Sequence, residues 1–189
     1  NATAAVDGFK IINGYGPTIY NASHGGGVLF DTGVSAQLRN CIIENNYASN
    51  GGGICLVGSP SDIINCTIRY NEAVEGAGLM SILSDSIELQ YCAFYRNEST
   101  NKGGAVSSLF TNITISNITV CRTNESDGGD VIYSVGGSMA ISNSLLAFNA
   151  GTGRLINAAS LDLSCSNFFG NTDATAYTGD DLTEFNPFF

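Results

Sequence analysis

Gln37-Leu38-Arg39-Asn40-Cys41-Ile42-Ile43-Glu44-Asn45-Asn46 returns, 25 residues on, as Asp62-Ile63-Ile64-Asn65-Cys66-Thr67-Ile68-Arg69-Tyr70-Asn71. It returns again from Glu88, Ile115, Ile141 and Leu163, and a looser copy begins at Val6. Aligned, the copies form four columns. The first holds Val6, Leu38, Ile63, Leu89, Ile115, Ile141 and Leu163. The second holds Phe9, Cys41, Cys66, Cys92, Ile118, Ser144 and Ser166. The third holds Ile11, Ile43, Ile68, Phe94, Val120, Leu146 and Phe168. The fourth holds Gly14, Asn46, Asn71, Asn97, Thr123, Asn149 and Asn171. Steps along the third column are 32, 25, 26, 26, 26 and 22 residues.

The second and third columns lie two residues apart, the period of a strand with one face inward. Helical spacing is absent, and each repeat is too short for a strand plus a full helix. A unit of this length is one coil of short strands and bends. Stacked coils pair each strand with its copies above and below, in parallel, about 4.8 Å apart. A second motif keeps the same period between the first: Gly26-Gly27-Val28, Gly52-Gly53-Ile54, Ala77-Gly78-Leu79, Gly104-Ala105-Val106, Gly129-Asp130-Val131 and Gly153-Arg154-Leu155. The expected fold is all-β, a right-handed parallel β-helix of about seven coils of about 25 residues, a solenoid. It forms one domain over residues 1–189, with coils to 171 and a capping tail over 172–189. The Asn column is expected to point inward at a bend and bond the backbone of neighbouring coils.

The repeats Gly103-Gly104-Ala105-Val106 and Phe94-Tyr95-Arg96-Asn97 resemble those of the chlamydial polymorphic outer membrane proteins. The opening Asp7–Gly14 and the tail Glu184–Phe189 resemble segments of secreted bacterial and algal β-helix surface proteins. The resemblance covers nearly the whole chain and implies the fold. Its functional content is small, because this architecture hosts adhesins, scaffolds and polysaccharide enzymes alike.

A net charge of −10 argues against nucleic acid and anionic membranes. No apolar run is long enough to span a bilayer. Seven Asn-x-Ser/Thr sequons point to a secreted chain; the glycosylation candidates are Asn21, Asn65, Asn97, Asn112, Asn117 and Asn124, with Asn1 beside them. Cys41, Cys66 and Cys92 read as buried thiols rather than bridges, and Cys55 and Cys121 as outward.

No catalytic set emerges. The outward column Glu44, Arg69, Tyr95, Cys121, Ala147 and Phe169 has one acid, too few for a calcium-dependent lyase. Asp180-Asp181 and Asp127/Asp130 read as solvated turn residues, and His24 as a loop residue. No metal or other cofactor is expected. With Val28 and its copies inward, Leu29, Met80, Ile132 and Ile156 form an outward apolar stripe, a candidate lateral interface. Tyr15, Tyr20, Tyr47, Tyr70 and Tyr95 are candidates for stacking on sugars. The expected function is a non-catalytic structural or adhesive module at the cell surface, a segment of a larger extracellular protein or fibre. Its expected partners are other copies, neighbouring chains or glycans. The alternative is a polysaccharide-binding module or carbohydrate-active enzyme.

Overall fold

The computed structural model describes residues 2–19, 22–125, 130–150, 153–171 and 177–178. All of its regular elements are strands. The third coil shows the plan: Ser61–Ile64, a bend, Thr67–Arg69, a bend, Glu72–Glu75, a glycine corner, then Leu79–Ile82. Each strand bonds its equivalents in the coils before and after, always in parallel. Four sheets result. Sheet I runs from Ala2–Asp7 to Leu161–Ser164, sheet II from Lys10–Ile12 to Asn167–Phe169, and sheet IV from Val28–Phe30 to Tyr177–Thr178; each has seven strands. Sheet III has four, from Tyr47–Asn50 to Asn124–Glu125. The parallel β-solenoid expected from the repeat is therefore present. The coil count is about five rather than the expected seven: sheets I, II and IV have seven strands each, but sheet III, which completes the coil, has four. The first coil also carries a departure, an antiparallel hairpin pairing Thr18–Ile19 with Ala22–Ser23.

The repeat columns are the ladders. Val6 pairs in register with Leu38, then Ile63, Leu89, Ile115, Ile141 and Leu163. Ile11 pairs with Ile43, Ile68, Phe94, Val120, Leu146 and Phe168. Both columns join one core, fully buried except at the terminal coils. Like stacks on like, so each rung hides its branched side chain against its own copies; burial of such a side chain is worth about 2 kcal/mol. Phe9 departs from its column and is 61 % exposed. It belongs to the first coil, which covers it from one side only.

The second column changes chemistry without changing role. Each Cys41, Cys66 and Cys92 thiol donates to the carbonyl two residues back, at 3.0, 3.4 and 3.3 Å. The hydroxyls of Ser144 and Ser166 do the same at 2.7 and 2.9 Å. A small side chain with one weak donor fills the position, which is why Ser replaces Cys late in the chain. All six cysteines are free thiols. Cys55, expected to face outward, is fully buried.

Most of the described corners are turned by a left-handed residue. Asn40, Asn65, Tyr91, Asn117 and Asn143 lie between sheets I and II with φ of 50–55°. Asn45, Tyr70, Arg96, Arg122 and Phe148 do so between sheets II and III. Gly51, Gly76 and Gly103 serve between sheets III and IV, where backbone passes so close that a Cβ on Gly51 would lie 2.8 Å from that of Cys55. This corner corrects the apolar stripe. Met80 is 1 % exposed and Leu29 half-buried because the glycine corner folds over them. Ile132 and Ile156 are 0 % exposed and point into the core, since Val106 pairs with Ile132 and Ile132 with Ile156. The outward position beside them is Tyr133 and Asn157. The Gly-x-hydrophobic alignment slips there by one residue. The amides of Gly103 and Gly104 both donate to the Asp130 carbonyl, shortening the corner. The stripe is thus a lining of the fold rather than a free interface.

The tail expected over 172–189 lies outside the described residues, except for Tyr177–Thr178, which extends sheet IV.

Candidate functional site

The fourth column shapes the surface of one edge. The Asn46 amide donates to Asn71 Oδ1 (3.0 Å), the Asn71 amide to Asn97 Oδ1 (3.1 Å), and the Thr123 amide to Asn149 Oδ1 (3.0 Å). Their side-chain Nδ2 groups reach back across the ladder, Asn71 to Ile43 O at 3.0 Å and Asn97 to Ile68 O at 2.9 Å. The bend's backbone groups are thus satisfied inside, as expected. A buried Asn forces the residues on either side of it outward. Two parallel outer rows follow, each advancing one coil per step: Asn45, Tyr70, Arg96, Arg122, and Tyr47, Glu72, Glu98, Asn124.

Between the rows lies a groove of about 390 Å³ lined by Tyr70, Glu72, Arg96, Glu98, Arg122 and Asn124. A second hollow of about 270 Å³ continues it along sheet III, with Tyr47, Glu72, Val74, Glu98 and Thr100 in its walls. Beyond Tyr47, Tyr15 stacks on the Tyr47 ring, centroids 5.3 Å apart and planes 24° from parallel. Arg96 lies over the rings of Tyr70 and Tyr95, at 5.8 and 5.2 Å. Tyr95 meets Tyr70 edge-on at 5.8 Å and accepts a bond of 3.2 Å from Arg122. That contact with the Tyr95 hydroxyl holds the Arg122 guanidinium above its ordinary value.

Charge is distributed unevenly along this edge. Glu44, on the outward face of sheet II, is clamped between Lys10 (2.7 Å) and Arg69 (2.6 Å). The hydrogen bond from Lys10, then that from Arg69, holds its carboxyl below the usual glutamate value. Glu72 and Glu98 line the same groove as Arg96 and Arg122, yet among the described residues the only ion pairs are those of Glu44. The groove therefore carries two carboxylates and two guanidiniums that are not satisfied by one another.

Of the expected sugar-stacking tyrosines, the structure gathers Tyr15, Tyr47, Tyr70 and Tyr95 on this edge; Tyr20 lies outside the described residues. The sequence reading missed Glu72, Arg96, Glu98 and Arg122. The signal was present: each flanks a fourth-column residue directly.

The sequons divide. Asn65, Asn112, Asn117 and Asn124 are exposed. Asn65 and Asn117 sit at the bend between sheets I and II rather than on a strand face, and Asn65 donates to Asn40 Oδ1 at 2.7 Å. Asn97 is 0 % exposed, with its Nδ2 committed to the ladder, which leaves no room for a glycan. Asn21 and Asn1 lie outside the described residues.

Asp130 is no solvated turn residue. It is buried; its carboxylate accepts the Arg154 amide (2.7 Å) and Asn157 Nδ2 (2.8 Å), side-chain bonds standing in for the corner's glycine packing. Asp127 and Asp180-Asp181 lie outside the described residues. His24 is half-buried, its Nδ1 3.9 Å from Cys55 Sγ. Burial pushes the Cys55 thiol up to about 12, which makes the pair a packing contact rather than a nucleophile and base. No group of three or more His, Cys, Asp or Glu placed to hold a metal occurs among the described residues.

Comparison with protein-family models, with curated proteins and with solved structures finds no match.

Proposed function

We propose that this chain is a non-catalytic structural or adhesive module at the cell surface, part of a larger extracellular protein or fibre, with neighbouring chains or glycans as partners. The observation that carries this reading is the use of the chain's chemistry to hold coil on coil. Asn71 and its copies are consumed by the ladder, Glu44 by two cations and Asp130 by a backbone amide and an amide side chain. Corners turned by a single left-handed residue keep the described surface an even, ridged face, suited to display and lateral contact along a rod. The exposed sequons and the repeats that resemble those of chlamydial polymorphic outer membrane proteins support an extracellular setting.

The test is retention without turnover. Beads coated with the chain should hold cells or polysaccharide-coated surfaces, while the supernatant gains no reducing ends and no unsaturated products. Failure to retain any surface would remove the adhesive reading, and released products would remove the non-catalytic one.

A further inference from the structure

We infer that the edge between sheets II and III binds a neutral oligosaccharide chain lying along the solenoid axis. This rests on the adhesive reading and names its ligand class.

Four observations converge on that edge. First, two hollows that share Glu72 and Glu98 as walls adjoin along this edge, one reaching Tyr47, on which Tyr15 stacks, the other running past Tyr70 to Arg122 and Asn124. Tyr15 is 72 % exposed and Tyr47 42 %, so the start of the groove is an open aromatic platform of the kind on which the apolar face of a pyranose stacks. Second, the walls repeat at the coil rise of about 4.8 Å. An extended β-linked pyranose chain advances by nearly that distance per unit, so successive sugars meet equivalent rungs. Third, Arg96 lies against the rings of Tyr70 and Tyr95, and Arg122 donates to the Tyr95 hydroxyl. Planar donors placed in this way present paired N–H groups, and Glu72 and Glu98 present paired acceptors; vicinal hydroxyls satisfy both. Fourth, the charges in the groove offset one another without pairing.

The last point selects the ligand. A polyanion such as a uronate chain or nucleic acid would meet Glu72 and Glu98 on a molecule of net charge −10. A cation would meet Arg96 and Arg122. An uncharged polyol offers donors to the carboxylates and acceptors to the guanidiniums and repels neither. Asn124 closes one end of the groove, so a glycan on that sequon would block the site and confine binding to the unglycosylated chain.

The experiment is titration of the full chain with neutral β-linked hexasaccharides of glucose, mannose, xylose and N-acetylglucosamine, and with a hexauronate. Calorimetry and tyrosine fluorescence are the readouts, the latter clean because the chain has no tryptophan. At least one neutral hexasaccharide should bind, better than its disaccharide and better than the hexauronate. Tyr47→Ala and Arg96→Ala should each weaken it about tenfold or more. Phe110→Ala, on the corner between sheets IV and I, should leave it unchanged. These side chains are on the surface, and unchanged circular dichroism and melting confirm that the variants fold. Absence of binding to every neutral hexasaccharide, preference for the hexauronate, or affinity indifferent to Tyr47 and Arg96 would overturn the inference. Surface retention that survives Tyr47→Ala and Arg96→Ala would overturn it while leaving the adhesive reading intact. Cleavage of a bound hexasaccharide would uphold the groove and overturn the non-catalytic reading.

Discussion

At the scale of single residues, the solenoid is a set of positions that each solve one problem. Asn suits the bends because its short polar side chain tolerates φ near 50°. Tyr91, Phe110 and Phe148 accept the same geometry at a cost of about 1 kcal/mol each. Two of them recover part of it. The Phe110 ring lies where a Cβ on Gly136 would stand, and the Phe148 ring covers Gly170 likewise, an aromatic shielding the bare backbone of the next coil. Glu44 makes a prediction at this scale. Its folded-state pKa lies below the unfolded one, so the Lys10–Glu44–Arg69 bridge stabilises the fold above the ordinary glutamate value near 4.5 and is lost as pH falls through the lowered value. Thermal melting from pH 7 to pH 2 should show Glu44→Gln less stable than the parent at neutral pH, the gap closing below pH 4.5. A gap that persists unchanged at pH 2 would assign the loss to packing instead.

At the scale of elements, the Asn ladder is the part whose removal matters most. Asn71→Ala leaves the Asn46 amide and the Ile43 carbonyl without their buried partners. With each such group costing about 1–3 kcal/mol, the loss should exceed about 2 kcal/mol in urea denaturation. Thr123 is the opposite case. It occupies an Asn position, and its hydroxyl finds no partner. Thr123→Asn restores the rung between Asn97 and Asn149 and should add about 1 kcal/mol. The pair makes a sharp test, since both changes act on one ladder with opposite signs. A neutral Asn71→Ala would mean that the ladder only fills space.

At the scale of the whole molecule, stability comes from stacking, and the thiols report it. Cys41, Cys66 and Cys92 form a buried column along the bend between sheets I and II. Burial is the main cause raising Cys41. Cys165 is exposed and Cys121 half-exposed. In native protein at pH 8, a thiol reagent should modify Cys165 promptly and Cys121 more slowly. Cys41, Cys55, Cys66 and Cys92 should react only on the timescale of unfolding. Fast labelling of Cys66 would show that coils open one by one.

Much of this was legible in advance. Columns one and three predicted the pairing of sheets I and II residue for residue, because parallel in-register stacking puts like on like and so writes its register into the period of the sequence. The inward Asn was readable for the same reason. Three things were not. Ile132 and Ile156 were set outward because glycine content was used to align a corner that Asp130 had shortened, and a one-residue slip reverses every side chain of a strand. Met80, like its register partner Cys55, was set outward and lies buried, because the glycine corner of its own coil folds over it, which follows from how the backbone folds back rather than from any alternation. The groove was missed because Glu72 with Glu98, and Arg96 with Arg122, repeat over only two coils each, beside the Asn column rather than in a column kept along the chain. The sequence by itself determined the period, the fold and the core of this protein, since burial repeats and repetition is visible. Only the tertiary structure decided how the two rows flanking the Asn ladder close into one groove, because the depth and walls of that groove are made by stacking coils about 25 residues apart.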